Sequence, residues 1–569
     1  MPTIVELLDK AFDEYGDQIA IKDHVHYREY TYSDMQDEVD SRAAYLMDHG
    51  IEKGDRVVIL GENDSSVLLT KAAIMKAGGV AVPIDESRPD HVIDEIINKI
   101  EPKMILSQGK FVEKLNGREH ICFEELAGFQ DTRSRDFPTI EDDDLATILI
   151  SSGSTSSGNG IMLSHNNIAQ NGIDCGEVID ITPGEKYFAG LAQHWHSFAN
   201  MVQMSFLASG LELHFTNRRG FLAGSGAEIN PNYALMIPSL ANKIMGDVYK
   251  SFEEKKLKTV LAAAIANSTQ YFRKLLHEQV DVGWRRVLHE KADANIYSQI
   301  REKLHERLGE DLNMLIGGSA ELNPKTQEFF YCIGIPIFQG YGLTETAPVI
   351  SVNTHEFYRF GSSGIVLPSI EIKIMDFAGE NDITQSKKPG LIYVRGPNVF
   401  EGYFKDKEKT RGVLFEDGWF NTKDTAVIEK DQGQLFLYFH GRAESYIRLS
   451  GGEGEVPERF ESRYENQGDF RRIVVVGQNR KALGAIGIPN EEYMQLMGEG
   501  KITNAAAVKA LKKLLKKSKK ELGRALPHLA VLDQFDASKY ETTTGKLRRN
   551  RFLEDHQSII DSMYPSSKD

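Results

Sequence analysis

Twice in the first 85 residues a helical apolar stripe stops at glycine and runs into a short apolar strand. Tyr30–Leu60 reads "YTYSDMQDEVDSRAAYLMDHGIEKGDRVVIL", and Ser66–Asp85 repeats the order as "SVLLTKAAIMKAGGVAVPID". Strands that are apolar on both faces and separated by helices are those of a parallel sheet covered on both sides. The same alternation returns in "ALMIPSLANKIM" and "FFYCIGIPIFQGYG". This predicts an α/β fold.

From about Gly361 the texture changes to short strands and turns, as in "GSSGIVLPSIEIKIMDFAGEN" and "LIYVRGPNVFEGYF". A chain of 569 residues exceeds one ordinary core, so two to four structural units are expected. We place a large N-terminal domain over 1–440, built of α/β subdomains plus this β-rich subdomain. A hinge at 441–446 and a small, mobile α+β C-terminal domain over 447–569 follow.

Composition removes several function classes. A net charge of −16 argues against a general nucleic-acid binder, which needs a surplus of Lys and Arg. Cys122, Cys175 and Cys332 are odd in number and far apart, with neither a disulfide framework nor zinc-type spacing. The opening "MPTIVELLDKAFDEYGDQ" mixes acids into its apolar pattern, as an amphipathic helix does and a signal peptide does not. No uncharged apolar run reaches the ~18–20 residues that span a bilayer. The expected location is the cytoplasm. Contact with the inner face of the membrane is left open because "VKALKKLLKKSKKELGR" surrounds an apolar stripe with lysines; the plainer reading is a helix packed on its own small sheet.

The chemistry-bearing stretch is "SSGSTSSGNGIMLSHNN" (Ser151–Asn167), directly after the apolar run Leu145–Ile150. Its glycines and hydroxyls suit a phosphate cradle. It fails the Walker pattern, because Asn159 and Gly160 stand where Lys and Ser/Thr are required.

Five distant segments follow in order: "MLIGGSAELNP", "FQGYGLTETAPV", "GWFNTKD", "GRAESYIRLSGGEGEVP" and "TTTGKLRR". With the loop they resemble the acyl-adenylate-forming superfamily over residues 5–555, and look most like its bacterial long-chain fatty acyl-CoA synthetases. The resemblance implies a ligase that uses ATP and Mg²⁺ to convert a medium- or long-chain fatty acid to acyl-AMP and passes the acyl group to CoA. It also implies two rivals: delivery to another acceptor such as acyl carrier protein, and a catalytically impaired homologue that only binds nucleotide or acyl ligand.

Site residues carry over by motif. Ser151, Ser152, Gly153, Ser154 and Thr155 are expected at the ATP phosphates. Gly318, Ser319 and Ala320 line the adenine plane; Tyr341 stacks on it beside Gly342. Thr344 is expected at the α-phosphate, Glu345 on Mg²⁺, Asp424 and Arg442 at the ribose. Lys546 is the catalytic lysine, and Trp195 and His196 gate the acyl chain. His194 and His196 lack the further ligands a metal pair needs.

Several positions depart from the family. Asn159 replaces a lysine, a loss worth roughly 1.5–3 kcal/mol of charge-assisted contact. Lys423 stands where glycine is usual, Ser445 where the hinge carries Asp or Lys, and Gln193 and Ala199 replace Pro and Glu beside the acyl entrance.

Overall fold

The computed structural model describes residues 1–127, 129, 136–151, 157–190, 193–216, 226–318, 322–450, 454–465, 468–517, 525–541 and 547–564. The first helix, Ile4–Tyr15, is the amphipathic element the sequence predicts. Thr3 and Glu6 form a reciprocal capping box, and Ile4, Val5, Leu8, Ala11 and Phe12 are buried.

Both helix–glycine–strand units add to one sheet. Arg56–Leu60 lies parallel to Val80–Pro83 on one side and to Met104–Ser107 on the other. Leu145–Ile150 joins Val80–Pro83, then turns through the serine–glycine loop into antiparallel Gly160–Ser164. Gly402–Tyr403 closes the edge against Gly160–Ser164, with Tyr403 opposite Ile161. Helix Ser65–Lys76 is buried at every residue, including Lys71 and Lys76. Its apolar residues, Val67, Leu68, Leu69, Ala72, Ala73, Ile74 and Met75, fall on all sides of the helix rather than in one stripe.

A second sheet has thirteen strands among the described residues. Its centre is parallel: Glu212–Phe215, Lys186–Phe188, Tyr233–Met236, Met314–Gly317 and Ile337–Gly342. The β-rich region expected after Gly361 continues this sheet. Val349–Val352 pairs antiparallel with Ile337–Gly342 and hands on to Ile365–Val366, Gln434–Arg442, Phe420–Asp431, Gly390–Arg395 and Glu371–Met375. The sheet therefore changes from parallel to antiparallel at Gly340–Gly342, where the most specific sequence motif lies.

Beyond residue 447 a separate three-stranded sheet, Phe470–Val476, Gly484–Pro489 and His528–Val531, carries its own apolar layers on both faces. Helix Asn504–Leu514 lies on one of them. Leu511 and Leu515 are buried there, with Val508 and Leu514 packed alongside. The apolar side of the lysine-rich helix is thus occupied by this core through Leu515, so the packed reading holds for the described residues; Leu522 lies outside them. No helix among the described residues is long and apolar enough to cross a bilayer.

Candidate active site

The site is built where strand Ile337–Gly342 ends. A Cβ on Gly342 would sit 1.7 Å from the Pro348 carbonyl oxygen, so only glycine fits. That close approach lets Leu343 N–H (3.0 Å) and the Thr346 hydroxyl (2.8 Å) donate to the Pro348 carbonyl. Asn398 donates from outside to the Thr346 carbonyl at 2.8 Å. The turn Thr344–Thr346 is thereby fixed from two directions.

Its two functional side chains face different partners. The Thr344 hydroxyl donates to Ser197 Oγ at 3.0 Å. Ser197 starts the helix Ser197–Ala208, whose cap is His196; the His196 ring nitrogen Nδ1 accepts Phe198 N–H at 3.3 Å. The Trp195 ring lies 6.2 Å from that of His196. A Cβ at Gly318 would touch the Phe198 ring at 3.4 Å, which brings Gly318 to the same corner. His194 points elsewhere, its Nε2 bonded to the Gly61 carbonyl at 2.7 Å, and no three His, Cys, Asp or Glu among the described residues group to hold a metal.

Glu345 turns the other way. Its Oε1 accepts the Tyr403 hydroxyl at 3.0 Å, and burial raises its carboxyl above the ordinary range. Tyr403 pairs with the strand that leaves the serine–glycine loop, so the carboxylate is registered against that loop through one hydrogen bond and one strand pair.

Asp424 and Arg442 stand directly opposite each other on Phe420–Asp431 and Gln434–Arg442. Asp424 is buried; its Oδ1 lies 3.3 Å from Arg442 Nε, while Oδ2 accepts the Tyr341 hydroxyl at 2.9 Å. The Tyr341 ring is buried against Phe439 at 5.3 Å between centroids. Arg442 is about half exposed, so the array presents a guanidinium at the surface and a carboxylate beneath it. Lys423, beside it, adopts φ +61°, the left-handed conformation that favours the family's glycine, and is exposed.

At the foot of the loop Ser151 and Asn159 close on each other. Ser151 N–H donates to the Asn159 carbonyl (2.9 Å), and Asn159 N–H donates to Ser151 Oγ (3.2 Å). Gly158 has φ +65°, and its Cβ position lies 2.0 Å from the Ser151 carbonyl. The Lys99 ammonium, on helix Asp90–Ile100, donates to the Gly158 carbonyl at 3.1 Å. A cation therefore stands beside this loop although the loop has no lysine of its own. Ser152, Gly153, Ser154, Thr155, Ser319, Ala320 and Lys546 lie outside the described residues.

The arrangement pairs the closed foot of the serine–glycine loop, Ser151 with Asn159, with a buried carboxylate under a half-exposed guanidinium and a second, partly desolvated carboxylate. It suits a nucleotide with its phosphates. The AMP-binding enzyme family matches residues 8–404, and the AMP-binding enzyme C-terminal domain matches residues 444–568. The chain belongs to the AMP-binding enzyme family. A relative within it, the chloroplastic long-chain-fatty-acid–[acyl-carrier-protein] ligase AEE15 of Arabidopsis thaliana, is 28% identical over 97% of this chain and 85% of its own length. Fatty acyl-CoA synthetase A of Dictyostelium discoideum is 26% identical over 92% of this chain and 84% of its own. ATP-bound MatB from Rhodopseudomonas palustris shares the fold, with a TM-score of 0.72, 20% identity, and 98% and 99% of the two chains covered.

Of the motif residues within this AMP-binding enzyme, Tyr341, Asp424 and Arg442 meet in one array. Thr344 meets the Trp195–His196 segment through Ser197. Tyr403, Ser197, Asn398 and Lys99 were not found by sequence reasoning. Tyr403 is the tyrosine of "EGYF", a stretch that reads as a plain strand end, and nothing local marks Lys99 among the charges of its helix.

Proposed function

We propose that the protein activates a medium- or long-chain fatty acid with ATP, forming acyl-AMP and pyrophosphate, and transfers the acyl group to the thiol of CoA. The observation that carries this reading is the registration of Glu345, through Tyr403, against the serine–glycine loop, with the Asp424–Arg442 couple on the same turn-bearing sheet. The fatty-acid part is supported by the relatives that span nearly the whole chain.

Asp424 accepts the ribose hydroxyls, with Arg442 fixing the phosphate side, and the loop Ser151–Thr155 binds the outer phosphates. The Thr344 hydroxyl donates to the α-phosphate. Glu345 is the ligand for Mg²⁺, an oxygen-seeking cation that neutralises phosphate charge. A carboxylate whose burial disfavours its charge fits such an ion, because the cation repays the desolvation. Lys546 supplies the mobile cation at the reacting carboxylate and α-phosphate, and Trp195 and His196 border the acyl entrance. Attack of one anion on another needs charge neutralisation and alignment more than an acid–base pair. The small domain, 447–569, brings Lys546 in about the hinge 441–446, and then turns for thioester formation.

The second reading keeps acyl-AMP but hands it to acyl carrier protein, favoured by the full-length similarity to a plant ligase of that type. Competition between CoA and holo-acyl carrier protein for acyl-AMP made in situ separates the two. Consumption of CoA with no acyl carrier product supports the first. Acylated carrier at saturating CoA overturns it.

A further inference from the structure

Four buried polar atoms near His194 have no hydrogen-bond partner among the described residues: Lys71 Nζ, Glu86 Oε2, Trp195 Nε1 and Gln203 Oε1. Lys71 and Gln203 are 0% and 1% exposed. Buried polar groups are almost always paired, because each one left alone costs about 1–3 kcal/mol. Four in one place mark a site that a polar occupant completes.

The fold brings them to one edge of the smaller sheet. Ile59 pairs with Pro83 on neighbouring parallel strands, so Gly61 and Glu86 leave the sheet side by side. Leu145–Ile150 lies on the far side of Val80–Pro83, and its exit at the same edge is the serine–glycine loop. The carboxyl ends of parallel strands are where α/β sheets hold their ligands. His194 ties the group to this edge: its Nε2 bonds the Gly61 carbonyl at 2.7 Å and lies 4.0 Å from Glu86 Oε2. Burial lowers the His194 ring to about 3, and Lys71 adds to that lowering, which places the amine beside it. Lys71 stands on helix Ser65–Lys76, where long side chains lean back toward the helix start and so toward this edge. Gln203 reaches in from helix Ser197–Ala208, its Nε2 donating to Asn63 Oδ1 at 3.4 Å, two residues past Gly61.

Trp195, which borders the acyl entrance in the proposed reaction, connects this group with the substrate. Burial raises the Glu86 carboxyl to about 7 and the Trp195 indole opposes that rise, so ring and carboxyl are neighbours. Ser197, two residues on, holds the Thr344 hydroxyl, and Gln203 lies about 9 Å further along the same helix. The set offers two nitrogen donors, Lys71 and Trp195, and two oxygen acceptors, Glu86 and Gln203. A methylene would leave all four unpaired. A second carboxylate brings only acceptors and would meet the oxygens of Glu86 and Gln203. A hydroxyl donates once and accepts twice, so it serves both halves of the set.

We propose that Lys71, Glu86, Trp195 and Gln203 form a polar subsite that selects a fatty acid carrying a hydroxyl on its chain, the hydroxyl donating to Glu86 or Gln203 and accepting from Lys71 and Trp195. The inference rests on the reading of the protein as a fatty-acid ligase and adds the class of acid.

The test is ATP–pyrophosphate exchange with a saturated acid and with acids of the same length hydroxylated near the carboxyl group, at mid-chain and at the far end. One hydroxylated isomer is expected to show a kcat/KM at least about tenfold above that of the plain acid, carried by a lower KM. Lys71→Met, which removes the unpaired amine and keeps the apolar stem, and Gln203→Leu should each bring that ratio to within about twofold of unity. The ratio is taken within one variant, so general damage to folding or to ATP binding, which lowers both rates, does not move it. Plain and hydroxylated acids used equally well by the parent overturn the proposal, leaving water as the occupant and the ligase reading intact. A preference that survives both variants overturns it as well. No exchange with any acid removes the ligase reading and the subsite with it.

Discussion

Replacing Gly158 by alanine tests the proposed phosphate loop at a constrained point. The residue has φ +65°, where an L side chain costs about 1 kcal/mol. Its new Cβ would stand 2.0 Å from the Ser151 carbonyl, an overlap that backbone must relieve. Relief means parting Ser151 from Asn159, which breaks two hydrogen bonds of 2.9 and 3.2 Å. Each contributes about 1 kcal/mol net, so the present loop conformation loses about 3 kcal/mol relative to alternatives. The surrounding strands are untouched, so the cost falls on the population of loop ready for ATP rather than on global folding. An ATP KM raised about 30- to 150-fold is expected in ATP–pyrophosphate exchange, with the circular dichroism spectrum unchanged. Lys99→Met removes only the partly buried ammonium from the Gly158 carbonyl, and should raise the same KM about fivefold. An ATP KM for Gly158→Ala within about twofold of the parent would refute the argument that this clamp shapes the loop.

Three further outcomes are expected. Lys71 is fully buried with no hydrogen-bond partner, and desolvation pushes its ammonium down to about 7. The unfolded chain then binds one proton more than the native chain between about pH 7 and 10.5, so stability should rise with pH across that window and level off below it. Lys71→Met should abolish that slope and stabilise the protein by about 3–5 kcal/mol at pH 7, read from urea midpoints at several pH values; an unchanged slope contradicts it. Asp424→Asn keeps the shape but removes the charge facing Arg442, and should raise the ATP KM about 10- to 100-fold in pyrophosphate exchange; an unaltered KM would remove Asp424 from the nucleotide site. Lys423→Gly relieves a left-handed conformation on the surface and should stabilise by about 0.5–1 kcal/mol, seen as a higher thermal midpoint; a lower midpoint contradicts the strain argument.

Local signals in the chain were enough for elements and for motif order. The glycine stops at Gly50 and Gly78–Gly79 mark the helix-to-strand junctions because each residue there has to leave the helix, and "GYGLTET" marks the turn where only glycine fits against Pro348. Long-range pairing was not readable. Ile19–Asp23 joins the large sheet beside Glu212–Phe215, and the β-rich region prolongs that sheet, because strands find partners far along the chain that no local pattern marks. The site shows the same division. Tyr403 meets Glu345, Ser197 meets Thr344 and Lys99 meets Gly158 across 58, 147 and 59 residues, and each partner is an ordinary residue type.

The most direct test of the central claim is fatty-acid-dependent pyrophosphate release from the purified protein with Mg-ATP, paired with hydroxylamine trapping of the acyl group. A panel of acids from medium to long chain should give pyrophosphate and acyl hydroxamate in equal amounts, and Lys546→Ala should reduce both at least about a hundredfold. Absence of either product with every acid, despite measurable ATP binding, would contradict the ligase and leave a nucleotide-binding homologue whose loop has lost its chemistry.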